Sequence, residues 1–169
     1  MMEHAAQSHT LSSQELDELS VRCLVLPLSS LTLLVPNTLV AEVIDYRPAE
    51  SAGHMPEWMT GMLSWRGRNV PVISFERLLG DTVESPAQER RYVICNTLNN
   101  NERIPFIALE VQGIPHLTQV SNTMLDYDTE DRQSEPAVLA RLRLDEESVT
   151  VPNVDVMEKM LEHLGFAAG

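Results

Sequence analysis

Apolar residues along this chain fall in short runs bounded by turn-forming residues, and several runs are apolar at both alternating sets of positions. That pattern predicts short β-strands, some of them buried on both faces. Val21 to Leu28 and Leu31 to Val35 read as two strands joined by Ser29-Ser30. Thr38 to Tyr46 reads as a third strand or as a strand begun by one helical turn, and Arg47 to His54 is a loop. Pro56 suits the first turn of a short helix through Trp58 and Met59 that stops at Gly61.

The segment from Gly61 to Gly80 organises the rest. Met62, Leu63 and Trp65 approach a tight turn, Arg66-Gly67-Arg68-Asn69, in which Gly67 can supply a positive φ. Beyond it Val70, Val72 and Ser74 share one strand face and Pro71, Ile73 and Phe75 the other, so this strand is buried on both sides. Glu76 to Leu79 turns helical and ends at Gly80.

After an acidic linker at 81–89 come a second hairpin, Arg91 to Leu98 and Arg103 to Val111 around Asn99-Asn100-Asn101, and a short strand at His116 to Val120. Met124 to Glu135 is acidic and turn-like. A last hairpin joins Val138 to Leu144 with Val149 to Val151 through Asp145-Glu146-Glu147-Ser148. A helix from Asp155 to Leu164 follows, with Val156, Met160 and Leu164 at helical spacing. Residues 1–20 form a polar tail ending in a short acidic helix, Ser13 to Leu19, capped by Ser12 and Glu15. The pattern is that of an all-β barrel or sandwich, and the two hairpin-rich halves around 81–89 suit two small barrels sharing a core. One domain over 21–165 follows the tail.

Charge narrows the function. A net charge of −13 and a pI near 4.7 repel phosphate backbones, so nucleic acid is not the partner. With 43% hydrophobic residues the chain is not disordered throughout. No apolar run is long enough to span a bilayer, and the first residues lack a signal peptide's basic start and apolar core, so a cytoplasmic protein without direct membrane insertion is expected. Cys23 and Cys95 lie in separate apolar strands and read as reduced core thiols. The five His residues have no metal-ligand spacing, and Asp126-x-Asp128-x-Glu130-Asp131 lacks the glycine and distal Glu of a calcium loop. No acid, base and nucleophile converge along the sequence, so neither catalysis nor a cofactor or metal is expected.

Val40-Ala41-Glu42-Val43-Ile44, Pro56 to Gly61, Trp65-Arg66-Gly67, Val70-Pro71-Val72-Ile73 and Leu78-Leu79-Gly80 resemble, in order and spacing, the CheW family of chemotaxis adaptor proteins. A weaker likeness runs through Ile107 to Leu117 and Val149 to Asp155, so the resemblance covers about residues 20–164. It implies two intertwined five-stranded SH3-like barrels with short helices, including one at the C-terminus. It also implies a non-enzymatic adaptor bridging a chemoreceptor's cytoplasmic tip and the regulatory domain of a CheA-type histidine kinase. Partner-binding positions carried over are Val40, Glu42, Val43, Gly61, Trp65, Arg66 and Gly67. Ser64-Trp65, Ser74, Ala108 and Gln112 depart from the family pattern, which fits a divergent member of an accessory or pilus-linked system. A protein that occupies the kinase or receptor without coupling them is the alternative within the family, and a small-molecule enzyme the alternative outside it.

Individual roles stay open at this level. Arg66 organises a docking groove between the halves, pairs with Glu42 to fix the barrels, or is a turn residue that only satisfies local carbonyls. Trp65 is either core or an exposed anchor. Gly61 and Gly67 are also positions where backbone geometry alone favours glycine.

Overall fold

The computed structural model of the chain describes residues 19–83, 88–127 and 135–165, together with Ser12. The expected helix Ser13 to Leu19 and the acidic stretch after Tyr127 lie largely outside these residues.

The first hairpin forms as the apolar runs dictate. Strand β1 (Ser20–Pro27) pairs antiparallel with β2 (Thr32–Pro36), and Leu28 N–H closes the turn on Leu31 O at 2.9 Å. A 3-10 turn, Asn37–Leu39, leads into β3 (Val40–Asp45), so the strand begun by one helical turn is observed. Strands β4 (Met59–Trp65) and β5 (Arg68–Ile73) form the central hairpin, followed by helix α1 (Phe75–Leu78). Beyond the linker come β6 (Arg91–Asn96), β7 (Phe106–Val111), β8 (His116–Ser121), a 3-10 turn at Asn122–Met124 and a short strand β9 (Leu125–Tyr127). The chain ends in β10 (Val138–Leu144), β11 (Glu147–Pro152) and helix α2 (Val154–His163).

These strands make two sheets, ordered β8-β1-β2-β11-β10-β9 and β3-β6-β7-β5-β4. They are the two SH3-like barrels, the first extended by the short β9. The halves on either side of 81–89 do repeat one pairing pattern, yet neither half is a barrel. Hairpin β1–β2 pairs outward with β8 and, in parallel, with β11, both from the second half. Hairpin β6–β7 pairs in the same way with β3 and, in parallel, with β5, both from the first half. Each half thus lends its first hairpin to the other half's barrel, which is how the two barrels intertwine.

This exchange explains the doubly apolar strands. On β1, Cys23 and Val25 fill the first barrel while Leu24 and Leu26 join the shared core. On β5 and β6, Val70, Val72, Tyr92 and Ile94 fill the second barrel, and Ile73, Val93 and Cys95 turn to the shared core. Phe75, Val154, Met157 and Leu161 complete that core from the two helices. Both cysteines are buried free thiols, as expected, and burial pushes the Cys95 thiol up to about 12.

Two expectations fail. Pro56 starts a single turn, Met59 N–H to Pro56 O at 3.0 Å, and no helix follows because Met59 already belongs to β4. Gly61 is therefore a bulge residue within β4 and not a helix end: its φ is +154°, and a Cβ there would stand 2.6 Å from Glu50 O. Helix α2 does form, but its buried face is Val154, Met157, Glu158 and Leu161, whereas Leu164 is exposed. The expected stripe of Val156, Met160 and Leu164 lies off that face.

Candidate functional site

In the second sheet, β3 and β4 are the two edge strands, and side chains rather than ladder bonds join them. Trp65 Nε1 donates to Glu42 Oε2 at 2.6 Å, and the Arg66 guanidinium stands 3.4 Å from the same oxygen. Arg47 donates to Ser64 O, and Tyr92 O–H donates to Arg47 O at 2.7 Å. The Trp65 indole is buried edge-on against Phe106, with centroids 4.9 Å apart. Trp65 is core, with its one polar atom spent on Glu42, and the exposed-anchor alternative does not hold.

Arg66 and Gly67 form the two-residue turn between β4 and β5, with φ of +49° and +73°. Two successive positive values define a turn whose twist matches the flanking strands. The turn holds the Arg66 guanidinium 4.9 Å from the Trp65 ring, on the outside, with its side chain 68% exposed. A contact this exposed to Glu42 adds at most about 1 kcal/mol, whereas the indole bond to the carboxylate is worth roughly 1.5–3 kcal/mol. The 390 Å³ cavity that Arg66 lines with Arg68, Glu102 and Phe106 belongs to the second barrel alone, so it is not the groove between barrels expected around this residue.

A different groove lies at the seam. A cavity of about 300 Å³ is lined from the first barrel by Pro36, Leu139, Val151 and Pro152, from the second by Leu39, Asn96 and Leu98, and by Val154 of α2. Leu98 and Leu139 are 58% and 64% exposed, an unusual state for two leucines at one depression. Strand β3 runs on from Leu39, anchored there by Asn96 Nδ2 donating to Leu39 O at 3.2 Å. It carries half-buried Val40 and Glu42 and exposed Val43 away from the groove. The structure thus gathers Glu42, Trp65 and Arg66 at one junction and puts Val40 and Val43 on the adjoining strand. Gly61 stands apart, shaping β4 under the bridge between Glu50 and Met62.

Sequence reasoning missed Leu39, Leu98 and Leu139, because the groove joins segments far apart in the chain. Among the described residues no three His, Cys, Asp or Glu side chains group as a metal site does, and no helix is long and apolar enough to cross a membrane.

Two barrels exchanging hairpins around a shared core, with an apolar groove along the seam, define the class of intertwined twin-barrel proteins. The chain matches the CheW-like domain family over residues 22–161, and it belongs to that family. Its fold is that of the scaffolding protein TtCheW from Thermoanaerobacter tengcongensis, whose crystal structure it matches with a TM-score of 0.67 at 17% identity over 80% of this chain and 90% of that one. No curated protein sequence matches the chain.

Proposed function

We propose that this chain is a non-catalytic adaptor of a bacterial chemosensory system, bridging the cytoplasmic tip of a chemoreceptor and the regulatory domain of a CheA-type histidine kinase. The observation that carries the reading is the apolar groove at the barrel seam in a member of the CheW-like family. A receptor tip is a helical hairpin, and a helix docks by laying an apolar stripe into such a groove. Val40 follows Leu39 at the groove's end, and Glu42, Val43 and the Arg66–Gly67 turn, farther along β3 and outside the groove, offer a second contact surface, with Trp65 and Gly61 fixing the strand that carries the turn. Both partners lie in the cytoplasm, which is where the adaptor works.

Ser74, buried at the start of α1, stands where the family has an acid, and such departures favour an accessory or pilus-linked system with a twitching output. Titration of the chain with a soluble receptor fragment and with a kinase regulatory domain from the same cell tests the proposal. An adaptor binds both at once in a ternary complex. An antagonist binds one and excludes the other, and a chain that binds neither overturns the reading.

A further inference from the structure

Glu158 lies on the buried face of α2 beside Met157 and Leu161, and it is fully buried itself. Its Oε2 accepts from the backbone N–H of Leu98 at 3.2 Å and from Asn99 Nδ2 at 3.0 Å. Its Oε1 has no partner among the described residues. Two other acids of α2 meet the same loop: Asn99 Nδ2 donates to Asp155 Oδ1 at 2.6 Å, and Asn101 Nδ2 donates to Glu162. Asp155, Glu158 and Glu162 recur at helical spacing, so one stripe of the helix faces the Asn99-Asn100-Asn101 loop. The bond from Asn99 is the main cause holding the Asp155 carboxyl below the ordinary carboxylate range, with Lys159 adding to it.

A buried carboxylate with one unmet oxygen is a poor source of stability, since an apolar side chain of similar volume serves a core at least as well. What it gives is position. The loop it holds begins at Leu98, whose side chain lines the second barrel's part of the seam groove. We propose that Glu158 is a positioning residue for docking: by holding the Leu98 N–H it fixes that wall of the groove at the spacing a receptor helix needs. This rests on the adaptor reading above.

The test combines amide exchange at Leu98 with titration by a soluble chemoreceptor cytoplasmic fragment, on the wild type, Glu158→Ala, Glu158→Gln and Asn99→Ala. The Gln side chain still offers an acceptor oxygen, so Glu158→Gln keeps Leu98 protected and the affinity within about twofold. Glu158→Ala speeds Leu98 exchange and weakens fragment binding, each by about tenfold, and Asn99→Ala does so by a smaller factor. Wild-type exchange in both Ala variants, or faster exchange with unchanged affinity, overturns the proposal, as does a Gln variant that behaves like Ala. Should Glu158→Ala not fold, Asn99→Ala and Glu158→Gln decide by the same readings. A folded wild type that fails to bind the fragment removes the adaptor reading and with it the docking role, while the exchange data still show whether Glu158 holds Leu98.

Discussion

The second barrel is filled by Trp65 and Tyr92 with Tyr46 and Phe106 packed against them, whereas the core of the first holds Cys23, Val25, Leu34, Val120, Leu142, Leu144 and Val149 and, among the described residues, no aromatic ring. The second joins its edge strands through the carboxylate of Glu42, reached from across the barrel by Trp65 and Arg66. In the first, edge strands β8 and β9 are joined by the three-residue turn Asn122–Met124, with Asp145 N–H on Met124 O at 3.1 Å. Exposed large apolar side chains are also unevenly shared: Val21, Leu117, Tyr127 and Leu139 stand on strands of the first barrel and only Val43 on those of the second. One pairing pattern thus yields a barrel sealed by specific side chains and a barrel whose strands leave more apolar surface exposed.

The largest effect expected from this contrast is on folding. Trp65→Ala removes an aromatic core residue and the donor to Glu42, and costs about 3–5 kcal/mol, while Leu142→Ala in the first barrel, which removes a smaller side chain and no hydrogen bond, falls at the low end of about 2–5 kcal/mol. Urea unfolding of the two variants checks the order, and an equal or reversed order breaks the contrast.

Glu42→Ala comes next, at about 1–3 kcal/mol, because it leaves the buried indole N–H without its acceptor. A double-mutant cycle with Trp65→Phe should show coupling of about 1 kcal/mol or more. Arg66→Ala, whose guanidinium is mostly in water, shifts stability by less than about 1 kcal/mol. A loss from Arg66→Ala as large as that from Glu42→Ala would make the salt bridge, not the indole bond, the tie between the edges.

The smallest effect is kinetic. Burial raises both thiols, Cys95 to about 12, so near pH 8 neither has much thiolate in the folded state. Cys23 lies in the first barrel's core and Cys95 in the shared core, and the less tightly closed barrel should open first. Labelling with a thiol reagent should reach Cys23 before Cys95, and both rapidly after denaturation. Faster labelling of Cys95 would place the weaker point at the seam.

Much of this was legible in the sequence because hairpins are local. Ser29-Ser30, Arg66-Gly67 and Asp145-Glu146 announce their turns, and the doubly apolar Val70 to Phe75 announces a strand buried on both faces. The exchange of hairpins between halves was not legible from periodicity, since β2 with β11 and β7 with β5 pair across long separations. Helix α2 was misread for a specific reason. Glu158 interrupts the true stripe of Val154, Met157 and Leu161, leaving Val156, Met160 and Leu164 as the cleaner apolar pattern. The Pro56 to Gly61 segment has the start and stop of a helix, but the pairing of β4 with β5 overrides them. Trp65 and Glu42 stood out through the family resemblance, yet only the folded chain brings them within hydrogen-bond distance.

The central claim is that a receptor helix docks in the groove at the seam, and Leu139→Asp tests it most directly. Leu139 is mostly exposed, so the substitution leaves the melting temperature within a degree or two of wild type, as surface changes do, while placing a charge in the apolar groove. Titration with the chemoreceptor cytoplasmic fragment should then show affinity reduced by about tenfold or more. A folded Leu139→Asp variant that binds the fragment as tightly as wild type contradicts the claim.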